Sequence, residues 1–191
     1  IRRRVREVGN DVTHPMMSIE RNDFVKGEAF WLFLRRDGRD VASLGAKFVD
    51  LSNETLESYW RRTSQHQYGR DIDPILAVDP MLGLLRGKMV YVGELYVHES
   101  IRGDVRNLAR YTRLMQLMIA YRWTFDWMYG FVSDDHTKLN RLYQFSLTVR
   151  RAITWAQPEP QGRLNSHTLL ASPYRQIMLL FEQGTGQQTG S

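Results

Sequence analysis

The sequence contains no cysteine. Disulfide bridges, cysteine-ligated zinc and thiol nucleophiles are therefore excluded. No run reaches the ~18 uninterrupted apolar residues that span a bilayer, so no membrane insertion is expected. The first residues lack the charged-then-apolar pattern of an export signal, and because the sequence opens on Ile1 rather than Met, what precedes it is open. A cytoplasmic location fits these features. The five histidines, His14, His66, His98, His136 and His167, are scattered without metal-ligand spacing, so no metal is expected. Neither a Gly-x-Ser-x-Gly elbow nor a phosphate-binding Walker loop occurs.

What is present is a soluble globular composition, 42% apolar and 25% charged over 191 residues. That length fits a single domain, placed at residues 1–183, followed by a tail at 184–191, expected to be disordered, in which no residue is apolar. The formal net charge is +5, carried mostly by arginine. Arginine is the better bidentate partner for phosphate, although codon bias would give the same excess. No helix-turn-helix, zinc-finger or RNA-recognition signature accompanies the charge, and the opening run IRRRVREV reads as a solvated helix face, so a nucleic-acid partner is not expected.

The region from Glu28 to Leu51 predicts a hairpin. An apolar run from Ala29 to Leu34, expected to be covered on both faces, meets Asp37-Gly38 at the turn and returns from Val41 to Val49. Ser52 or Asn53 then caps a helix that carries Leu56, Tyr59 and Trp60 on one face. Residues 70–86 read as an ordered loop or short helical turn, and the insertion at 53–86, with Tyr59 and Trp60, as a substrate wall or lid.

The most informative region is Lys88 to Thr148. A strand (KMVYVGELYVHES), a turn with Arg102-Gly103, a helix (LARYTRLMQLMIAYRW), a second strand (WMYGFVSD) and a second helix (HTKLNRLYQFSLTV) follow in order. This order predicts a parallel pair, with a helix N-terminus where a phosphate can sit. Leu114, Leu117, Met118 and Tyr121 recur at i, i+3, i+4 and i+7 and are expected in the core. Alternation places Val92, Glu94, Tyr96 and His98 on one face of the first strand. Several polar groups on a strand expected to be buried suggest a cleft. Strands are further expected at Arg151–Trp155 and His167–Ser172, with Tyr174–Phe181 open between strand and helix.

On these segments the chain resembles the GNAT superfamily of acyl-CoA-dependent N-acyltransferases, over residues 28 to 157. Glu94-Leu-Tyr-Val-His-Glu-Ser-Ile-Arg-Gly103 is similar to the family's fourth strand and the opening of its cofactor loop, with Val97, Arg102 and Gly103 in register. Asn140, Leu142 and Tyr143 resemble the Asn-x-x-Leu-Tyr segment after its fifth strand. The later glycines of the loop are replaced by Val105 and Asn107, and Asp104 adds a negative charge. The family's first strand is not visible and is expected upstream of Ile1.

The resemblance implies an α/β (α+β) fold, a mixed central sheet flanked by helices, with a helical insertion between the third and fourth strands. It also implies an acyltransferase that uses acetyl-CoA or a longer acyl-CoA and passes the acyl group to a small-molecule amine. An acyl carrier protein is the alternative donor, which a degenerate loop favours, and a non-catalytic binding domain is the alternative class. A homodimer is left open.

Glu94 is the candidate base for the amine and Tyr143 the candidate acid for the departing thiolate. A phenol of pKa ~10 can protonate a thiolate of ~8.5. Their alternatives are a structural ion pair with an arginine and a core aromatic. His98 is a second candidate base. Leu95, Tyr96 and Val97 would offer backbone groups to the pantetheine amides. Arg102, Gly103, Arg106 and Asn107 would contact the pyrophosphate, Arg110 the 3′-phosphate, and Asn140 the pantetheine. Arg113 is better placed on a solvated face.

Overall fold

In the computed structural model, residues 14–186 are described except 19, 23, 26, 70 and 134–142. Asp37 and Gly38 both take left-handed backbone angles, φ 49° and 78°, as a tight two-residue hairpin turn requires. They join β1 (Ala29–Arg36) to β2 (Arg39–Leu51) in antiparallel register, Leu32 opposite Leu44. The doubly covered strand is β2, buried almost continuously from Asp40 to Lys47, whereas β1 is a half-buried edge. The apolar run of β1 still packs on both faces, Trp31 against one core and Phe30, Leu32 and Leu34 against the other.

Helix α1 (Leu56–Tyr68) follows, capped by Thr55, whose hydroxyl accepts from the Ser58 amide at 3.1 Å. The cap falls two residues beyond Asn53. Ser52 is engaged instead with Asp50, to which its hydroxyl donates at 2.5 Å. Residues 70–86 hold more than a loop. β3 (Ile75–Val78) pairs with β7 (Ile153–Trp155) in a separate two-stranded sheet, and a 3-10 turn spans Pro80–Leu84. Arg61 ties α1 to this sheet through Asp73 at 2.7 Å and the Ile75 carbonyl at 2.7 Å. Tyr59 and Trp60 are buried core residues, not a lid. Trp60 donates to the Tyr129 hydroxyl at 3.2 Å beneath the main sheet.

β4 (Gly87–Val97), α2 (Val105–Arg122) and β5 (Trp127–Val132) form the strand–helix–strand unit, and β4 and β5 are adjacent and parallel as expected. The main sheet has the order β1-β2-β4-β5-β8-β6, with β6 at Leu147–Arg150 and β8 at Thr168–Pro173. Its other pairings are antiparallel, so it is mixed. Helix α3 (Tyr174–Gly186) closes the described chain. It runs three residues into the segment expected as tail, and 187–191 lie outside the described residues.

Alternation along the central strands splits the core into two. Met89, Tyr91 and Tyr129 face α1 and the small sheet, while Val90 and Met128 face α2 and α3.

Two helix expectations are corrected. The second helix of the unit does not reach Thr148: Tyr143 is helical, Gln144 is left-handed at φ 55°, and β6 begins at Leu147 with Val149 buried. The inward face of α2 is Tyr111, Met115 and Ile119, whereas Leu114, Leu117, Met118 and Tyr121 are exposed, Tyr121 at 88%. Two apolar stripes share this helix. The stripe that Leu108 begins faces the sheet, where Phe125 beyond the helix end joins the same core.

Candidate functional site

The parallel pairing of β4 and β5 ends at Tyr91 opposite Tyr129. Beyond it β5 continues to pair with β8, while β4 stays on β2. Register on the β2 side moves from Gly45 opposite Gly93 to Ser43 opposite Tyr96, so β4 carries an extra residue there. Glu94 lies within that bulge at φ 61°, a left-handed angle uncommon for a non-glycine residue. A bulge interrupts alternation, so Val92, Glu94, Tyr96 and His98 do not share one face in the way a regular strand predicts. The bulge follows directly on the last β4–β5 pair. Gly130 on β5 lies against the β4 backbone there: a Cβ would be 2.6 Å from the Val92 carbonyl oxygen.

Where the strands part there is a cavity of about 1000 Å³. Glu94, Leu95, Tyr96, Val97, Arg102, Gly103 and Tyr143 all line it, so the structure brings the candidate base, the candidate acid and the β4 backbone to one place. Arg106, Asn107 and Arg110 do not line it and are exposed on the first turns of α2. Asn140 lies outside the described residues. His98 caps the 3-10 turn after β4, its Nδ1 2.9 Å from the Ser100 hydroxyl, and is not among the lining residues. Arg113 donates to the Gln144 side chain at 3.2 Å on the exposed side of α2.

The turn before α2 departs most from the phosphate-site expectation. Asp104 is the N-cap of α2, its carboxylate accepting from the Asn107 amide at 3.1 Å and from the Asn107 side chain at 2.6 Å. Those bonds hold its carboxyl below the usual aspartate range. The amide expected to meet a pyrophosphate is therefore already satisfied by a carboxylate of the same charge. Arg102 donates from Nε to the Val97 carbonyl at 3.1 Å, closing the turn, and Gly103 takes the φ of 89° that the turn requires.

Tyr143 is 9% exposed, and burial raises its phenol above the usual tyrosine value. Gln116 on α2 donates to the Tyr143 carbonyl at 2.8 Å, fixing the backbone that carries the phenol. The Oε1 of Gln116 is buried at the cavity wall with no hydrogen-bond partner among the described residues. Glu94 accepts from the His14 backbone amide at 2.6 Å. The His14 ring is held neutral, its pKa lowered to about 2 by burial first and then by the Arg163 charge. Its Nε2 lies 3.1 Å from the Gly162 carbonyl, and its Nδ1 accepts from the Met16 amide.

His14, Gln116 and Arg163 line the cavity without having been singled out from the sequence for this site. No spacing rule marks them. Arg163 sits in a proline- and glycine-containing turn region, and its burial comes from the packing of Phe131 and Tyr68 around it. Among the described residues no group of three or more histidine, aspartate or glutamate side chains could hold a metal ion.

No protein-family model matches the sequence, and no curated protein matches it. Solved structures do. The chain is similar to FeeM, an N-acyl amino acid synthase from uncultured soil microbes, at 11% identity, over 92% of this chain and 90% of that one, with a TM-score of 0.50. It is also similar to BjaI, a CoA-dependent acyl-homoserine lactone synthase, at 10% identity, 85% and 67% coverage and a TM-score of 0.44. An agmatine N-acetyltransferase matches at 14% identity, 75% coverage of each chain and a TM-score of 0.44. The chain has the fold of the GNAT superfamily.

Proposed function

We propose that this protein is an N-acyltransferase that moves an acyl group from a phosphopantetheine thioester to an amine. The observation that carries the reading is the parting of β4 and β5 beyond Tyr91 and Tyr129, with Glu94 and Tyr143 lining the resulting cavity. The edge of β4 turned from β2 has no strand partner past Tyr91 among the described residues. Backbone groups at Leu95 to Val97 can therefore pair with the two amides of a pantetheine arm, as an added strand would. Glu94 takes a proton from the ammonium form of the acceptor and passes it to solvent, the free amine nitrogen attacks the thioester carbonyl carbon, and Glu94 then takes the second proton from the nitrogen of the tetrahedral adduct. The carbon–sulfur bond breaks, and Tyr143 gives its proton to the departing thiolate, to be reprotonated from solvent. Positioning supplies much of the rate, since both reactants are held in one cavity.

The donor is better read as an acyl carrier protein than as acyl-CoA, because the Asp104 carboxylate caps the helix end where CoA would place its pyrophosphate. A carrier brings a single phosphate diester on the same arm.

Amine-dependent release of thiol, measured with acyl-CoA and with acylated carrier protein in parallel, tests both statements. Release from the acylated carrier at a kcat/KM well above that from acyl-CoA is expected. A preference for acyl-CoA would overturn the choice of donor, and no amine-dependent release from either would overturn acyl transfer. Arg102→Ala is expected to weaken donor binding, whereas Arg36→Ala at the hairpin turn leaves it unchanged. Equal effects at the two positions would mean diffuse electrostatics rather than a site.

A further inference from the structure

Tyr143 is the last helical residue before the chain turns towards β6, and Gln144 after it takes a left-handed φ of 55°. A carbonyl at a helix end has no partner within its own helix. The Tyr143 carbonyl finds one on another element: Gln116 on α2, 4% exposed, donates to it from Nε2 at 2.8 Å. The reverse amide orientation would set two oxygens against each other, so this contact fixes which end of the side chain is which. Three residues earlier on α2, Arg113 donates to the Gln144 side chain at 3.2 Å. Helix α2 thus holds the 143–144 turn twice, and of the two bonds the one from Gln116 is buried.

Stability does not account for this amide. The bond satisfies one buried acceptor, the Tyr143 carbonyl, and leaves another, the Gln116 Oε1, without a partner among the described residues. An unpaired buried acceptor is a cost wherever it sits, so the exchange brings little net stability. What the amide does supply is a fixed place for the backbone of Tyr143, whose residue lines the cavity. Thr112, one turn earlier on the same cavity wall, is instead turned back on α2, donating to the Ala109 carbonyl at 3.0 Å.

We propose that Gln116 is a positioning residue for the acyl transfer, and that its bond to the Tyr143 carbonyl aims the phenol at the departing thiolate. Proton transfer needs the phenol within hydrogen-bond reach of the sulfur, and a misplacement of about 1 Å is enough to lose much of the rate. The proposal rests on the acyl-transfer reading, with Tyr143 as its acid.

The test follows amine-dependent thiol release across pH in Gln116→Met and Gln116→Glu. Gln116→Met keeps the length of the side chain and removes the donor. Its kcat should fall by ~10- to 100-fold with KM for the donor nearly unchanged, and its melting temperature should stay near that of the unaltered protein. In Gln116→Glu the carboxylate cannot donate to the carbonyl, whereas the protonated acid can, and burial favours the acid. Its kcat relative to the unaltered protein should therefore recover as pH falls. That comparison lies within one variant, so it stands even if Gln116→Met folds poorly. An unchanged kcat in folded Gln116→Met, or a Gln116→Glu deficit that is the same at every pH, would overturn the positioning role and leave acyl transfer standing.

A second readout does not need the reaction. Burial raises the Tyr143 phenol, and its titration can be followed by NMR on ring-labelled tyrosine, assigned against Tyr143→Phe. In Gln116→Met it should move back towards the ordinary tyrosine value of ~10 as the ring turns to solvent. Should the unaltered protein release no thiol, acyl transfer falls and this titration decides. A shift in Gln116→Met would keep Gln116 as the residue that places the phenol, and an unmoved titration would overturn that role as well.

Discussion

In the proposed reaction Tyr143 is the acid and Glu94 the base, and their surroundings set how each can be tested. Burial raises the Tyr143 phenol, which keeps it protonated and ready to donate at neutral pH. Tyr143→Phe keeps the ring and removes the proton. It should lower turnover by ~100-fold or more while donor affinity is unchanged, because general acid catalysis typically contributes factors of that order. Unchanged turnover in a folded Tyr143→Phe variant would remove the acid role. Glu94→Gln retains an oxygen to accept the His14 amide, now at 2.6 Å, so the bulge should persist. Its loss of rate should be largest at low pH, where more of the acceptor is protonated, and a uniform loss across pH would mean positioning rather than base catalysis.

Lys47 is 2% exposed, and burial first and then the Arg163 charge lower its pKa. Its folded pKa of about 7 lies below its ordinary 10.5, so between those values the unfolded chain binds more protons than the folded one. Stability from this residue therefore rises as pH climbs through that window and is lost as pH falls towards 7. Lys47→Met should raise the melting temperature at pH 7 and flatten its rise between pH 7 and 10. An unchanged slope would mean that Lys47 is not held neutral in the fold.

At the scale of elements, the proposed choice of donor turns on the N-terminus of α2. Asp104→Asn keeps a side-chain acceptor for the Asn107 amide but removes the charge, and Asn caps about as well as Asp. CoA should then bind more tightly, by several-fold, while a pantetheine analogue without the diphosphate binds unchanged. Equal changes for both ligands would show that the turn does not meet the phosphates. Much of this region was legible in the sequence. The Asp37-Gly38 turn, the order β4-α2-β5 and the place of Arg102-Gly103 all follow from local chemistry that tertiary contacts do not alter.

The rest was set by contacts between distant segments. Two apolar stripes on α2 satisfy the same periodicity, and only the sheet beneath selects Tyr111, Met115 and Ile119. β6 reads as the end of a helix until β8 offers Leu169 opposite Val149. The bulge at Glu94 is invisible to alternation, since it depends on the slip between β2 and β4. Arg163 carries no motif at all, and its place in the cavity wall appears only once Tyr68 and Phe131 pack around it.

For the whole molecule, the mixed sheet places one parallel pair at its centre and lets it open at one end, with a packed core on each face. The small β3–β7 sheet and α1 brace the Tyr91 face, which holds the wall opposite α2 in place. Gly130 sits at the apex of the opening. Gly130→Ala should force β4 and β5 apart at Val92, costing about 1–3 kcal/mol of stability as overpacking does. A stability unchanged by this substitution would mean that the strands are already separated there.

The central claim is that the acyl donor lies along β4 with its thioester between Glu94 and Tyr143. A crystal structure with a non-transferable thioether analogue of an acyl-pantetheine tests it most directly. The account predicts the arm hydrogen-bonded to the backbone between Leu95 and Val97, its acyl carbonyl in the opening beyond Tyr91, and the Tyr143 hydroxyl directed at the sulfur. An arm bound away from the cleft between β4 and β5, or a Tyr143 hydroxyl turned out of it, would contradict the claim.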